Sequence, residues 1–243
     1  MKRILLTISY DGTDYHGWQV QPNGITVQET MQNGLQKLLG TRPMITGCSR
    51  TDAGVHAEQF CFHFECDDCF PENAFLKGLN SLLPDDISVV DCKEVPYDFH
   101  ARYNAKGKTY VYGMYTGIKS PFLSRYYLHL EKKPDIALMN EFCKTVIGEH
   151  DFAGFSSSGR TVEDTVRTIT ECSVSEENGK ILFSVTADGF LYNMVRILAG
   201  TALAVGYGRL NVLCANEIFE TNNRSLGGDT LPPCGLILKK VYY

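Results

Sequence analysis

The alternation of apolar and polar positions along the chain predicts a series of β-strands. In residues 3–10, Ile4, Leu6 and Ile8 fall on one face, a period of two that is typical of a half-buried strand. The pair Asn178-Gly179 between two alternating runs predicts a hairpin with a type I′ turn. Further strands are predicted over residues 44–48, 60–64, 87–95, 108–116 and 235–242.

A second period, of three to four residues, predicts helices between these strands. Thr26 is the expected N-cap of the first helix, and Glu29 three residues later completes a capping box. The apolar stripe that follows ends at Gly40, a residue typical of a helix C-cap. Other helices are predicted over residues 72–83, 135–147, 190–205 and 212–221.

The order of these elements predicts the fold class. About eight strands mix hairpins with helical crossovers, which favours an α+β fold with helices packed on a largely antiparallel sheet. The same rough order of strands and helices occurs in residues 1–104 and in residues 105–243. We therefore expect two similar α+β halves with these bounds.

Composition narrows the class of protein. Of the 243 residues, 44% are hydrophobic and 21% are charged, which is ordinary globular usage and excludes a disordered or collagen-like chain. No run of 18 apolar residues lacks a charge, and the apolar run after Met1 ends too early for a secretory signal. We therefore expect a cytoplasmic protein that has no membrane partner.

Charge is distributed unevenly along the chain. The net charge is −5, yet residues 98–133 contain seven basic and two acidic residues, a net charge of +5 against −10 for the remainder. The same segment holds six of the 13 tyrosines. Basic groups interleaved with aromatic rings suit a phosphate backbone with unstacked bases. A Tyr-rich strand with one solvated face is the alternative.

Cofactor and metal motifs are scarce. Neither the dinucleotide-binding nor the P-loop glycine pattern occurs, so no nucleotide cofactor is expected. Cys61, His63, Cys66 and Cys69 have zinc-ligand residue types, but no second Cys-x-x-Cys pair completes the usual arrangement of two separated ligand pairs. With nine cysteines and no secretory signal, we expect buried, reduced thiols and no metal. A zinc-dependent protein remains the alternative.

The loop of residues 50–56 is a candidate catalytic segment. Asp52 is its only acidic residue and lies two positions after Arg50. A nearby guanidinium keeps a carboxylate ionised, as an anionic nucleophile or base requires. The alternative is that Asp52 caps a turn by accepting a backbone N–H.

Several segments in a fixed order resemble one family. Residues 47–57, Gly-Cys-Ser-Arg-Thr-Asp-Ala-Gly-Val-His-Ala, are similar to the catalytic motif of the TruA family of tRNA pseudouridine synthases. The other matching segments are residues 10–13, 17–19, 21–23, 80–87, 99–102, 108–110, 188–196 and 235–236. The resemblance therefore covers nearly the whole chain.

The resemblance implies a fold and an activity. The fold would be two similar halves forming a continuous, mainly antiparallel sheet with helices packed on it and a central cleft. The activity would be isomerisation of uridine to pseudouridine in the tRNA anticodon stem-loop, at positions 38, 39 and 40, by a homodimer without metal or organic cofactor. A tRNA-binding or tRNA-folding protein without catalysis is the rival interpretation.

The resemblance also implies roles for individual residues. Asp52 would be the nucleophile and Arg196 its charge partner, while Tyr110 would stack on the target uracil. Arg50 would assist in flipping the nucleotide. Without the resemblance, a snorkelling residue on an apolar helix is the favoured interpretation of Arg196. The alternative for Tyr110 is a core tyrosine on an alternating strand.

The basic segment supplies the remaining binding candidates. If tRNA is the substrate, we expect Lys106 and Lys108 to contact its backbone, together with Lys119.

Overall fold

The computed structural model of the protein describes residues 1–67, 71–159 and 163–243. The described residues form ten strands and five α-helices. The strands are β1 (Lys2–Tyr10), β2 (Thr46–Gly47), β3 (His56–Cys66), β4 (Ile87–Val95), β5 (Gly107–Thr116), β6 (Leu128–Leu130), β7 (Gly148–Asp151), β8 (Val166–Glu177), β9 (Lys180–Ala187) and β10 (Leu236–Tyr242). The helices are α1 (Val27–Leu39), α2 (Glu72–Asn80), α3 (Ile136–Thr145), α4 (Met194–Gly206) and α5 (Cys214–Thr221).

The chain divides into two compact units. The first consists of Met1–Lys106 together with Ile237–Tyr243, and the second consists of Gly107–Leu236. The sequence boundary predicted after residue 104 assigns the last strand to the second half, whereas its residues from Ile237 onward belong to the first unit. These residues belong to the first unit because β10 pairs in parallel with the start of β3.

The sheet of the first unit is built around β1. This strand pairs antiparallel with β3 on one side and with β4 on the other. Ile4, Leu6 and Ile8 are fully buried, as their alternation predicts. The facing strand β3 contributes Phe60, Phe62 and Phe64, which are at most 1% exposed. These rings form much of the apolar core of the unit.

Two helices cover this sheet. Thr26 accepts a hydrogen bond from the backbone N–H of Glu29 at the start of α1, and Gly40 ends the helix in the left-handed conformation. Both predicted caps are therefore confirmed. Helix α2 packs on the sheet through Phe75, whose ring meets that of Phe64 edge to face with centroids 5.5 Å apart.

The sheet of the second unit is a meander with one added strand. Its antiparallel order is β5-β9-β8-β7, and the short strand β6 pairs parallel with β5. The turn between β8 and β9 has positive φ at Asn178 and at Gly179. This pair of values is the signature of the predicted type I′ turn.

Helices α3 and α4 cover the second sheet. Asn140 of α3 bonds both backbone groups of Val174 on β8, each at 2.8 Å. Helix α4 packs closely on α3, since a Cβ at Gly206 would lie 2.7 Å from Met139. Of the 13 residues of α4, 11 are buried. This burial explains why the sequence of the helix is almost entirely apolar.

The α+β class predicted from the sequence is confirmed, with differences in detail. The structure adds β6 and β7 to the eight predicted strands. Helix α4 begins at Met194 rather than at residue 190, because Asn193 has a φ of 61° and interrupts the helical conformation there. Helix α2 ends at Asn80 rather than at residue 83.

No helix in the described ranges combines the length and the apolar character that crossing a bilayer requires.

Candidate active site

The loop that carries Asp52 is anchored to β3 at both ends. Before the loop, β2 pairs antiparallel with β3, and the backbone N–H of Cys48 donates to the carbonyl of Cys61 at 2.8 Å. After the loop, the chain enters β3 itself at His56. A short loop held at two points on one buried strand has little freedom, so the position of Asp52 is fixed by the sheet.

A tight turn brings the chain through Asp52. The N–H of Val55 donates to the carbonyl of Asp52 at 3.2 Å, and Gly54 between them has a φ of 77°. Positive φ at the third position is typical of a type II turn, which favours glycine there. The side chain of Asp52 is half-buried, while that of Arg50 is exposed.

The segment after β1 holds the Asp52 loop from the other side. The hydroxyl groups of Tyr10 and Thr51 form a buried hydrogen bond of 2.9 Å. The carbonyl of Thr51 accepts the backbone N–H of Trp18 at 3.2 Å, and the N–H of Gly54 donates to the carbonyl of Tyr15 at 3.2 Å. Residues 10–18 therefore form a clamp on residues 51–55, and we call residues 10–18 the clamp segment.

Two glycines make this close packing possible. A Cβ at Gly12 would lie 1.9 Å from the carbonyl oxygen of Val55, and a Cβ at Gly17 would lie 2.3 Å from that of Thr51. Gly17 also has a φ of 81°, a conformation that glycine adopts without steric cost. Any larger residue at either position would push the Asp52 loop away.

Further groups fix the clamp segment itself. His56 is 2% exposed, and its Nδ1 accepts the backbone N–H of Gly12 at 3.0 Å. Trp18 is 3% exposed and stacks on Phe60 of β3 with centroids 4.1 Å apart. Since these contacts are buried, they anchor the clamp segment to the core of the unit.

The second unit contains the predicted stacking residue. Tyr110 lies on β5 opposite Val185 of β9 and is 7% exposed. Its ring meets that of Phe190 edge to face, with centroids 5.2 Å apart and an angle of 85°. Phe190 follows the Asp188-Gly189 turn, so the residues of that motif and Tyr110 are neighbours in this unit.

Arg196 is held on the first turn of α4. Its Nε donates to the carbonyl of Leu231 at 2.6 Å, and its Nη1 donates to the carboxamide oxygen of Asn193 at 2.6 Å. The amide of Asn193 in turn donates to Ser157 at 2.9 Å. Two hydrogen bonds to a planar guanidinium fix its orientation, so Arg196 is not the loosely solvated snorkelling residue that the apolar helix allows.

The two predicted backbone-binding lysines are placed differently. Lys106 is exposed, and its backbone N–H is tied to the carbonyl of Tyr242 at 2.8 Å. Lys108 lies on β5 and is only 8% exposed. The structure therefore gives Lys106, rather than Lys108, the exposure that suits a phosphate contact.

Sequence reasoning missed the residues that position the site. Tyr10, Thr51 and Asn193 touch the candidate residues or their loops, although the motifs that contain them were recognised. A polar residue within an otherwise apolar run is a sequence signal for Asn193, whereas Tyr10, between Ser9 and Asp11, has no such signal. Their partners become visible only when the distant segments are brought together.

Cys61, His63 and Cys66 of the predicted alternative zinc site lie on β3. Cys69 lies outside the described residues, and among the described ones no group of three or more His, Cys, Asp or Glu side chains could hold a metal ion. Burial raises the pKa of the Cys61 thiol to about 11, whereas a metal ligand must be a thiolate. The Nδ1 atom of His63 accepts the backbone N–H of Ala101 at 3.1 Å.

Comparison with known proteins identifies the family. A family model described as tRNA pseudouridine synthase matches residues 6–104 and 142–243. The tRNA pseudouridine synthase A of Ruminiclostridium cellulolyticum is 46% identical over 246 residues, and that of Clostridium acetobutylicum is 43% identical over 244. The tRNA pseudouridine synthase A 2 of Clostridium perfringens is 44% identical over 244 residues. Each of the three alignments covers 100% of both chains.

The ranges that the family model matches include Asp52 and Arg196. The chain belongs to the tRNA pseudouridine synthase A family, and its activity is that of an isomerase acting as a tRNA pseudouridine synthase.

Proposed function

We propose that this protein converts uridine to pseudouridine in the anticodon stem-loop of tRNA, at positions 38, 39 and 40, with Asp52 as the nucleophile. The observation that carries the proposal is the rigid seating of the Asp52 loop between β3 and the clamp segment. Preorganised geometry of this kind lowers the barrier by holding the reacting group in place before the substrate arrives.

The reaction itself needs a nucleophile but no redox partner. The carboxylate of Asp52 forms a bond to the bound uridine, at the uracil ring or at the ribose, and the N1–C1′ glycosidic bond breaks. The base turns over, C5 bonds to C1′, and the bond to Asp52 breaks, which returns the free carboxylate. The proton on C5 leaves to solvent and N1 gains a proton. The product is an isomer of the substrate, so atoms and electrons balance without a cofactor.

Arg196 supplies the positive charge in this proposal. A guanidinium stabilises a carboxylate in its ionised form and can bond it at two points. The bonds from Arg196 to Leu231 and Asn193 hold the guanidinium in one orientation. That fixed orientation supports a role in directing the nucleophile rather than in general solvation.

Tyr110 and Arg50 are the proposed contacts to the flipped nucleotide. A base removed from its stack loses contacts worth ~1–3 kcal/mol, and a flat aromatic ring replaces them. Phe190 holds the Tyr110 ring from one side, edge to face. Arg50 is exposed, and a guanidinium there can bond a phosphate while filling the space left in the stack. Lys106 is also exposed and is a proposed contact to the RNA backbone.

Position specificity can be tested with RNA transcripts. Three tRNA transcripts would each carry a single 5-tritiated uridine, at position 38, 39 or 40, and a fourth would carry it only in the T arm. We expect tritium release from the first three and none from the fourth. Release from the T arm alone, or from no transcript, would overturn the proposed substrate site.

The proposal includes a homodimer that shares one tRNA, active in the cytoplasm where tRNA is modified. Analytical ultracentrifugation with and without tRNA tests the assembly. A mass of two chains is expected, and a single chain bound to each tRNA would contradict it.

A further inference from the structure

An aromatic column runs from the core of the first unit to its surface, away from the Asp52 loop in sequence. It begins at His63 of β3, which is 7% exposed. The ring of His63 meets that of His100 with centroids 5.0 Å apart, and His100 stacks on Tyr103 with centroids 4.2 Å apart and an angle of 29°. Tyr103 ends the column and is 77% exposed.

The turn that carries Tyr103 is held by a set of local hydrogen bonds. The Nδ1 atom of His100 accepts the backbone N–H groups of Arg102 and Tyr103, at 3.1 and 3.3 Å. The carboxamide oxygen of Asn104 accepts the N–H of His100 at 2.6 Å, and the N–H of Asn104 donates to the carbonyl of His100 at 3.0 Å. A large ring is therefore displayed to solvent in a single orientation.

An exposed aromatic ring that is held rigidly is suited to binding a ligand. A ring already fixed loses little conformational entropy when a ligand stacks on it. The arrangement of His63, His100 and Tyr103 is thus suited to binding a flat partner.

The charges around the ring indicate the chemistry of that partner. The guanidinium carbon of Arg102 lies 5.9 Å from the centre of the Tyr103 ring. Lys106, three residues after Tyr103 in the sequence, is also exposed. An aromatic ring with a cation beside it matches a nucleobase and its phosphate, which is how proteins bind unpaired nucleic-acid segments.

Another exposed tyrosine in the same unit shows what is special about Tyr103. Tyr97 is 63% exposed, but the guanidinium of Arg3 lies over its ring, 4.7 Å from the centroid. Its hydroxyl donates to Glu65 at 3.2 Å. Tyr97 is therefore engaged with groups of this protein, and it serves as a matched control.

We propose that Tyr103 is a stacking platform for an unpaired base of the RNA substrate, distinct from the target uridine, and that Arg102 binds a neighbouring phosphate. The identity of the RNA as the tRNA anticodon arm rests on the function proposed above. Tyr103 and Arg102 thereby contribute affinity and register rather than chemistry.

The test measures binding of an anticodon-arm RNA to protein that carries Asp52→Asn, so that no turnover occurs. Stacking of one base is worth ~1–3 kcal/mol, so Tyr103→Ala should weaken binding roughly 5- to 150-fold. Tyr103→Phe should retain most of the affinity, because it keeps the ring. Tyr97→Ala should bind like the parent protein.

Salt dependence separates the two proposed contacts. A stacking contact releases no counterions, so Tyr103→Ala should lower the affinity without changing the slope of log Kd against log salt. Arg102→Gln should reduce that slope by about 0.7–0.9, the value of one phosphate contact. Thermal unfolding of each variant checks that the turn is still folded.

Two sets of results would overturn the platform. One is unchanged affinity in Tyr103→Ala, and the other is an equal loss in Tyr103→Ala and Tyr103→Phe. Failure of the proposed function gives a different result, since wild-type protein would then release no tritium from the anticodon-arm transcripts. The binding measurement decides the role of Tyr103 in either case.

Discussion

The clamp on the Asp52 loop predicts a large catalytic effect from one added methyl group. In Gly17→Ala the new Cβ would lie 2.3 Å from the carbonyl oxygen of Thr51, whereas real Cβ atoms essentially never approach a heavy atom within 3.0 Å. The oxygen must therefore move by at least the difference, 0.7 Å. Because Asp52 is the next residue, its carboxylate moves as well.

The size of the effect follows from the geometry of catalysis. A misplacement of about 1 Å lowers the rate on the order of 100-fold, or about 2.7 kcal/mol of activation free energy. The variant also carries backbone strain, because alanine at a φ of 81° adopts a left-handed conformation that costs roughly 1–2 kcal/mol. Stability and catalysis must therefore be measured separately.

Gly40→Ala is the matched control. Gly40 has a φ of 75°, so alanine there meets the same strain, but a Cβ would have nothing within 4 Å. Urea unfolding should show a loss of free energy in both variants, and single-turnover tritium release should be slowed only in Gly17→Ala. A rate for Gly17→Ala within twofold of that for Gly40→Ala would refute the role of the clamp segment.

Three further predictions concern buried polar groups. Tyr10→Phe removes the bond to Thr51 and should lower the free energy of urea unfolding by about 1 kcal/mol; an unchanged value would show that the bond is not formed. Burial and the nearby Arg3 lower the pKa of His63 to about 4 from 6.5. Between these values the unfolded chain binds a proton that the folded chain does not, so stability attributable to His63 falls by up to about 3 kcal/mol as the pH drops from 6.5 to 4. His63→Gln should flatten this part of the pH dependence of unfolding, and an identical pH profile would contradict the assignment. Cys66→Ser and treatment with a chelator should each leave tritium release unchanged, and loss of activity together with stoichiometric zinc in the untreated protein would support a metal site instead.

Local signals in the sequence predicted many of the elements. The caps at Thr26 and Gly40 bound α1 correctly, because each depends on a few neighbouring residues. The alternation in β1 and the Asn178-Gly179 turn were equally reliable for the same reason. Such signals are sufficient to establish an α+β class.

Elements that depend on distant partners were missed or displaced. The three-residue strand β6 exists through its pairing with β5, and its own sequence has too few positions to show a period. The first unit recovers Ile237–Tyr243 from the far end of the chain, which no boundary drawn along the sequence can represent. The start of α4 was misplaced because the apolar run continues through the non-helical Asn193.

The candidate site likewise combines motifs that the sequence shows with contacts between distant segments that only the fold shows. The motifs around Asp52 and Arg196 are recognisable by resemblance, but contacts that hold each of them are tertiary. The contact of Gly17 with Thr51 joins two segments that are separate motifs in the sequence, and nothing in either motif reveals it. The bond from Arg196 to Leu231 likewise depends on a segment 35 residues further along the chain.

The central claim is that the carboxylate of Asp52 is the nucleophile, and Asp52→Asn tests it most directly. The substitution keeps the size of the side chain and removes its charge. Glu58→Gln, at an exposed residue paired with Lys239, controls for the loss of one carboxylate, and surface pairs of this kind contribute little. Single-turnover release of tritium from a 5-labelled anticodon-arm substrate should vanish in Asp52→Asn and persist in Glu58→Gln, while both bind the RNA as wild type does. Tritium release by Asp52→Asn at the wild-type rate would contradict the account.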